Sequence, residues 1–395
     1  MFFTSWYPTP EFTYGGVFVR EHAKAVREAG HHVVVLHLAG PGAELDGRLW
    51  ATSEELDPSL TEGIETHHVA HRRLPLRGAS YPFYLASAVS AYRHLRGRGL
   101  RPDVIHAHVY GAAVPAAIVA GRVPLVVTEH YSGVAHRSLN PVEARKARYA
   151  YDRAARILPV SRFLREAIRS YGVDRPFEVV PNVVDKSVFF PGERGSQTGT
   201  GGRLLFVGNL EPSQLKGFPT LLRALSRLRE HRSDWHLDVI GGGPERARHE
   251  RSAAELGLGE YVTFHGPRPK AEVAQAMRNS DLLVLPSRVD NLPCVIVEAH
   301  ASGLPVVATT VGGIPELVDE RNGRLVPPDD PTTLAEVLED TLANLETFDR
   351  DAISASAQAS YGLEVIGEQL SRIYDAVREA AALGHERTAE RGAVL

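Results

Sequence analysis

With a single cysteine, Cys294, the chain of 395 residues has no internal disulfide, which fits a reducing compartment. It also has no long hydrophobic run. The longest, "GAAVPAAIVAG" at 111–121, is too short for a bilayer and is followed by Arg122. The formal net charge of −4 leaves no basic footprint, so no nucleic-acid partner is expected. The opening "MFFTSWYPTPEF" has no charged segment leading into an apolar one, and no secretory signal is read there. These absences predict a cytoplasmic globular protein.

Catalytic signatures are missing as well. No Gly-x-Ser-x-Gly elbow and no His-Glu-x-x-His occur, and "GGGPER" lacks the third glycine of a dinucleotide fingerprint. No Asp-x-Asp stands where a metal-dependent transferase would use it to hold Mg²⁺ on a diphosphate. Serine hydrolase, zinc protease and oxidoreductase readings are therefore weak.

The length exceeds what one hydrophobic core usually supports, so two domains are expected. In the first half, short apolar runs alternate with helical patterns: "HHVVVLHL" (31–38), "DVIHAH" (103–108), "PLVVTEH" (124–130), "RILPVS" (156–161) and "FEVVPN" (177–182). A helix from about Val17 to Ala29 precedes the first of these. After "PGERGSQTGTGG" (191–202), a linker by composition, the alternation resumes through "RLLFVGN", "LDVIGGGP", "VTFHG", "DLLVLPS", "PVVATT" and "GRLVP". Continuous apolar strands separated by helices imply parallel sheets covered on both faces. The expected organisation is one α/β domain at 1–190 and a second at 200–355. A last helix at about 360–385 should pack back on the first domain. Ligands of such sheets bind at the carboxyl ends of the strands, here in a cleft between the halves.

The stretch "SRVDNLPCVIVEAHASGLP" (287–305) carries two acids eight residues apart, Asp290 and Glu298. "CVIVEA" has strand propensity, but it lies between two clear strands whose parallel pairing needs a crossover. Pro293 suits a first helical turn and Gly303 the position just past an end, so 293–302 reads as a helix. The N–H groups of Cys294, Val295 and Ile296 would then offer an anion site. Asp290 lies in the loop before the helix and Glu298 inside it, so the two acids need not share one task. A surface helix with a solvated Glu is the plain alternative.

This run resembles the acid-x7-Glu motif of family-4 retaining glycosyltransferases, which have the GT-B fold: α/β, two Rossmann-like domains facing each other across a central cleft. The resemblance extends along the chain in order, through "TYGGVFVREHAKAVREAGHHVVVL", "PDVIHAH", "PLVVTEH", "ILPVSRFLREAI", "VVPNVVDKSVFFP", "LLFVGNLEPSQLKGFPTLLRAL", "VTFHGPRPKAEVAQAM" and "VGGIPELV". It implies that 1–190 is the acceptor side and 200–355 binds the nucleotide sugar. It also implies that Glu298 binds the ribose hydroxyls of a nucleotide and that Asp290, where most members carry Glu, faces the transferred sugar. Asn291, Leu292 and Pro293 would line the donor and lead to a diphosphate on which Lys216 is the cation. Arg268 would bracket the nucleobase. Gly15 and Gly16 would admit phosphate or acceptor close to the backbone, and His130 would hydrogen-bond the reacting sugar. One departure stands out. Where the family commonly has Gly-Arg-Leu, this chain has Gly208-Asn209-Leu210, so Asn209 donates without charge and Lys216 carries more of the work unless Arg288 or Arg268 reaches in.

The expected activity is metal-independent, retaining transfer of a sugar from a UDP- or GDP-linked donor, with no cofactor. A nucleotide-sugar epimerase, or an inactive binding module, is the alternative. His106 and His108 alternate on one strand and raise the question of a metal pair, but no third ligand stands at metal spacing, so no metal is expected. His67, His68 and His71 read as a surface cluster. Finally, the stretch 71–101 interleaves Arg72, Arg73, Arg77, Arg93, Arg96, Arg98 and Arg101 with Tyr81, Phe83, Tyr84 and Tyr92. It is either a weak contact for an anionic membrane carrying a lipid-linked acceptor, or a solvated face beside a soluble acceptor.

Overall fold

The computed structural model describes residues 1–41, 49–55, 57–72, 80–192 and 202–392, with residues 384–392 as backbone alone. Most of the linker read at 191–202, and Arg73 and Arg77 of the basic stretch, lie outside the described residues. The chain divides into two compact units. Met1–Asn182 with Leu363–Leu395 form unit 1, and Val183–Gly362 form unit 2.

Unit 1 holds a seven-stranded sheet of β1 (Phe2–Thr4), β2 (Val34–Pro41), β3 (Trp50–Glu54), β4 (Glu65–His71), β5 (Ile105–His108), β6 (Leu125–Glu129) and β7 (Arg156–Pro159). The spatial order is β3-β4-β2-β1-β5-β6-β7. All neighbours are parallel except the edge pair β3–β4. Phe2, Phe3, Leu36, Ile105 and Ile157 are fully buried, as strands covered on both faces require. The long helix Leu363–Gly392 returns to this unit. At Gly367 it comes so close to the helix Val17–Glu28 that a Cβ would press on the Ala25 carbonyl oxygen.

Unit 2 is a six-stranded parallel sheet of β8 (Gly202–Val207), β9 (Trp235–Ile240), β10 (Val262–Gly266), β11 (Leu282–Leu285), β12 (Val306–Thr309) and β13 (Gly323–Val326). Its order is β10-β9-β8-β11-β12-β13, so the order reverses between β8 and β11. At such a reversal the loops leaving two neighbouring strands run to opposite sides, and a crevice opens at their carboxyl ends. In unit 1 the reversal falls between β1 and β5.

Four readings of the sequence need correction. Residues 183–190 belong with unit 2 rather than with 1–182: Val184 bridges Gly362, Gln358 donates to the Phe189 carbonyl and Arg278 to that of Val188. The second unit likewise runs on to Gly362, past the expected end at 355. The run 177–182 is no strand. Glu178 and Val180 donate to Ile157 and Pro159, but Pro176 and Pro181 lack the N–H groups that would extend the ladder. His67, His68 and His71 are not at the surface. They lie on β4, a strand the sequence reading missed, between β2 and β3, and are 7%, 8% and 4% exposed. Neighbouring residues of one strand are both hidden there because both faces of the sheet are covered.

Candidate functional site

In unit 2 the loops after β8 and β11 meet at the sheet's reversal. The Arg288 backbone N–H donates to the Leu215 carbonyl at 2.8 Å, which ties the two loops together. Lys216 and Asp290 face each other across this tie, with Nζ donating to Oδ2 at 2.6 Å, and Ser287 Oγ reaches the same oxygen at 3.2 Å. Asp290 is held from behind by Gly312, whose φ of +58° and lack of Cβ let its backbone pass beside the Asp290 carbonyl. The pair is partly buried, with 30% and 12% of the two side chains exposed. It is an electrostatic element open to solvent on one side.

The helix expected at 293–302 is present as Cys294–Ala301, with Pro293 as its N-cap and no side-chain cap. Asn291, Leu292 and Pro293 are buried in the turn leading to it. Cys294 and Val295 are half-buried in its first turn, and so is Glu298 one turn later. The proposed row of three N–H groups is shortened, because Ile296 donates to the Pro293 carbonyl at 3.1 Å. Asn209 is exposed at the end of β8, on the same edge. Both arginines offered as substitutes for the missing charge have acidic partners. Arg288 pairs with Asp329 at 3.0 Å, and Arg268, exposed after β10, pairs with Glu272 at 3.5 Å.

In unit 1 the carboxyl ends of β1, β5 and β6 carry the polar groups. Gly16 caps the helix Val17–Glu28 at φ +66°, and a Cβ there would strike the Trp6 backbone, so only glycine lets the β1 loop fold against this helix. Gly15 lies beside the Phe12 ring. His130 follows β6, with its ring 4.4 Å from that of Phe18 and stacked on His108 at 5.4 Å. What aims it is Glu129, which the sequence reading passed over. The Glu129 carboxylate is fully buried and accepts the backbone N–H groups of Tyr110 (2.9 Å), His130 (2.9 Å) and Tyr131 (2.8 Å) and the Tyr151 hydroxyl (2.6 Å). Burial raises its pKa and these bonds oppose the rise.

His106 and His108 do share a strand, but they do not form a pair aimed at one point. His106 is spoken for by the Tyr374 hydroxyl (2.6 Å) and Thr128 (2.7 Å). His108 instead meets His130, Nδ1 to Nε2 at 3.2 Å, and a third imidazole from His22. His22 sits on the helix Val17–Glu28, and no spacing rule links position 22 to 108 and 130. Burial pushes the pKa of His22 down to about 4, and those of His106, His108 and His130 well below the usual imidazole value, with neighbouring imidazoles adding to the shift in the last three.

The aromatic residues of the 71–101 stretch turn inward. Tyr92 is buried, the Tyr84 hydroxyl bonds Ser5 and the Gly111 carbonyl, and Lys146 stands 3.5 Å over the Tyr81 ring. Arg72, Arg93, Arg98 and Arg101 remain exposed. No helix among the described residues is long and apolar enough to cross a membrane.

Two parallel-sheet α/β units with these loops define a glycosyltransferase of the GT-B fold. The chain belongs to glycosyltransferase family 4: it matches "Glycosyltransferase Family 4" over residues 15–188 and "Glycosyl transferases group 1" over 201–344. It is 30% identical over 321 residues to a D-inositol 3-phosphate glycosyltransferase of Corynebacterium diphtheriae, covering 73% of this chain and 74% of that one. A D-inositol 3-phosphate glycosyltransferase of Mycolicibacterium gilvum is 32% identical over 66% of this chain and 63% of its own, so this alignment spans less than two thirds of that relative. A GDP-mannose-dependent phosphatidylinositol monomannoside mannosyltransferase of Mycolicibacterium smegmatis is 31% identical over 60% of this chain and 66% of its own. Among solved structures, sucrose-phosphate synthase of Thermosynechococcus elongatus superposes with a TM-score of 0.75 at 21% identity, over 92% of this chain and 93% of that one. The Anabaena protein HepE, crystallised with UDP and with UDP-glucose, gives 0.74 at 22% identity, over 95% and 99%. The epimerase alternative finds no counterpart in these relatives.

Two outcomes follow from the buried groups. Glu129→Ala leaves three backbone donors and a tyrosine hydroxyl without their acceptor, and is expected to cost about 3 kcal/mol or more in urea unfolding, since each buried donor left unsatisfied costs about 1–3 kcal/mol. Histidines whose folded pKa lies below the unfolded 6.5 contribute stability that is present above pH 6.5 and is lost as pH falls towards their folded values. Unit 1 holds His22 (about 4) and His37 (about 3) together with His106, His108 and His130, whereas unit 2 has His300 (about 4) and His249. Hydrogen exchange, corrected for intrinsic rates, should show β5 and β6 losing protection between pH 6.5 and 4 before β11 and β12 do.

Proposed function

We propose that this transferase seats its nucleotide diphosphate sugar on the carboxyl end of the unit 2 sheet, with Lys216 as the cation on the diphosphate. The carrying observation is the Lys216–Asp290 pair at the reversal between β8 and β11. In this reading Glu298 takes the ribose hydroxyls, a bidentate task for a carboxylate one turn inside the helix. Arg268 flanks the base. Asn209, Asn291, Leu292 and Pro293 line the donor, and Cys294 and Val295 present the helix N-terminus to the phosphates. Gly16 gives the acceptor side its close backbone approach, and His130 hydrogen-bonds the transferred sugar.

The reaction is front-face displacement with retention. The bond from sugar C1 to the diphosphate oxygen stretches, positive charge builds on the sugar ring, and the acceptor hydroxyl attacks from the same face. Its proton passes to the departing diphosphate oxygen. The protein positions the partners and stabilises charge, with Lys216 on the leaving group and Asp290 on the sugar side. Asp290 has a second effect. As long as its carboxylate holds Lys216, it competes with the diphosphate for the same ammonium group, and donor binding redistributes that interaction. Fixed protein charge on the diphosphate is consistent with transfer that needs no divalent metal or other cofactor.

The named activities of the relatives make a cyclitol phosphate or an inositol glycolipid the first acceptor class to test, with UDP- and GDP-sugars as donors. With the aromatic residues of 71–101 turned inward, membrane contact in this reading is electrostatic, through the exposed arginines, and fades with salt. A cytoplasmic site of action accords with that reading.

Lys216→Ala should lower kcat by about 10² or more, the usual cost of one transition-state donor, while Glu298→Ala abolishes the thermal shift produced by the nucleoside diphosphate. Near-normal values in both variants would place the donor elsewhere. Asp290→Ala separates the two roles of its carboxylate: turnover falls while nucleoside diphosphate binds more tightly, because Lys216 is released. Isothermal titration with UDP and GDP reads this directly, and weaker binding in the variant contradicts the competition.

A further inference from the structure

We infer that His22, His108 and His130 form a binding site for a divalent cation of the zinc class, and that filling it switches transfer off. The second half rests on the function proposed above, through His130. One ring nitrogen from each residue lies within 4.8 Å of the others, and His108 Nδ1 is 3.2 Å from His130 Nε2. Zinc–imidazole bonds of about 2.0–2.1 Å put the nitrogens of a tetrahedral ion roughly 3.3 Å apart, so this edge of the site is already at coordination spacing. The three rings come from three elements: the helix Val17–Glu28, the carboxyl end of β5 and the residue after β6.

Without an ion His22 and His108 are poorly satisfied. Neutral imidazole has one N–H, yet the nitrogens of His22 lie 3.0 Å from the Phe18 carbonyl and 3.0 Å from the Pro181 carbonyl, and only one of these can receive a proton. His108 Nε2 is buried without a hydrogen-bond partner among the described residues. A cation would take the His22 lone pair now set against a carbonyl, and would receive His108 Nδ1 and His130 Nε2 together. The outer nitrogen of His22 then has a partner of the kind that orients metal ligands, a backbone carbonyl. Three imidazoles without a carboxylate select zinc, nickel or copper over magnesium or calcium. His130 is half-buried rather than sealed, which gives an ion an approach. Coordination occupies the ring that would otherwise address the sugar, so ion and donor each weaken the other's binding.

The test uses full-length protein stripped with chelator, in the absence of donor and acceptor. It should take up one zinc per chain, and cobalt(II) should give the intense visible bands of a tetrahedral nitrogen-ligated ion. His22→Gln and His22→Phe should lose both signals while their melting temperature stays within a few degrees of wild type. Saturating zinc should lower transfer at least tenfold, and EDTA should restore it. Absence of uptake by the wild type, weak octahedral cobalt bands, or unchanged uptake in the folded variants overturns the site. Full occupancy with unchanged transfer overturns the switch. Stoichiometry and spectra need no substrate, so they stand even where the transferase reading fails, and zinc-free turnover tests that reading on its own.

Discussion

Strands that run parallel must be joined by crossovers, and this single constraint places every group considered at the two sites. Each strand delivers its following loop to the same edge of its sheet, and where the strand order reverses, neighbouring loops part and leave room for a ligand. In unit 2 that edge carries Asn209, Lys216, Asp290 and the start of the helix Cys294–Ala301. In unit 1 it carries Gly16, His108 and His130. The apolar strands between them, Leu204 to Phe206 and Leu282 to Leu285 for instance, are fully buried and supply the rigidity on which loop geometry depends.

Polar groups at these edges hold one another in two different ways. Glu129 is sealed from water and satisfied by four donors, three of them backbone N–H groups, so it shapes the chain around His130 and has no capacity left for a ligand. Lys216 and Asp290 are joined by one short contact and stay partly open. An open ion pair contributes little to stability by itself, which leaves it free to rearrange around an incoming charge. With Asn209 in place of an expected arginine, Lys216 is a side-chain cation at this crevice, while Arg288 and Arg268 pair with Asp329 and Glu272.

Much of this was readable along the chain. Pro293 and Gly303 bracket a helix despite the strand propensity of Cys-Val-Ile-Val, and the helix is there. The six strands of unit 2 follow the apolar runs one for one. The failures have local causes. Pro176 and Pro181 were overlooked as ladder breakers in 177–182. β3 and β4 were missed because a histidine-rich run carries no apolar alternation, although burial on both faces makes His67, His68 and His71 core residues. The aromatic residues of 71–101 have the spacing of an interfacial surface, but their partners Ser5, Gly111 and Lys146 lie far along the chain.

The sequence by itself determined the elements, their order and the turn residues, because apolar periodicity, proline and glycine act over a few residues. It also determined the family, through motifs that follow one another in register. Only the tertiary structure decided that Lys216 meets Asp290, that Glu129 gathers Tyr110 and Tyr151, and that His22 joins His108 and His130. Those contacts span from 19 to over 100 residues of chain. They are set by which strand ends become neighbours in a sheet, a quantity no local pattern encodes.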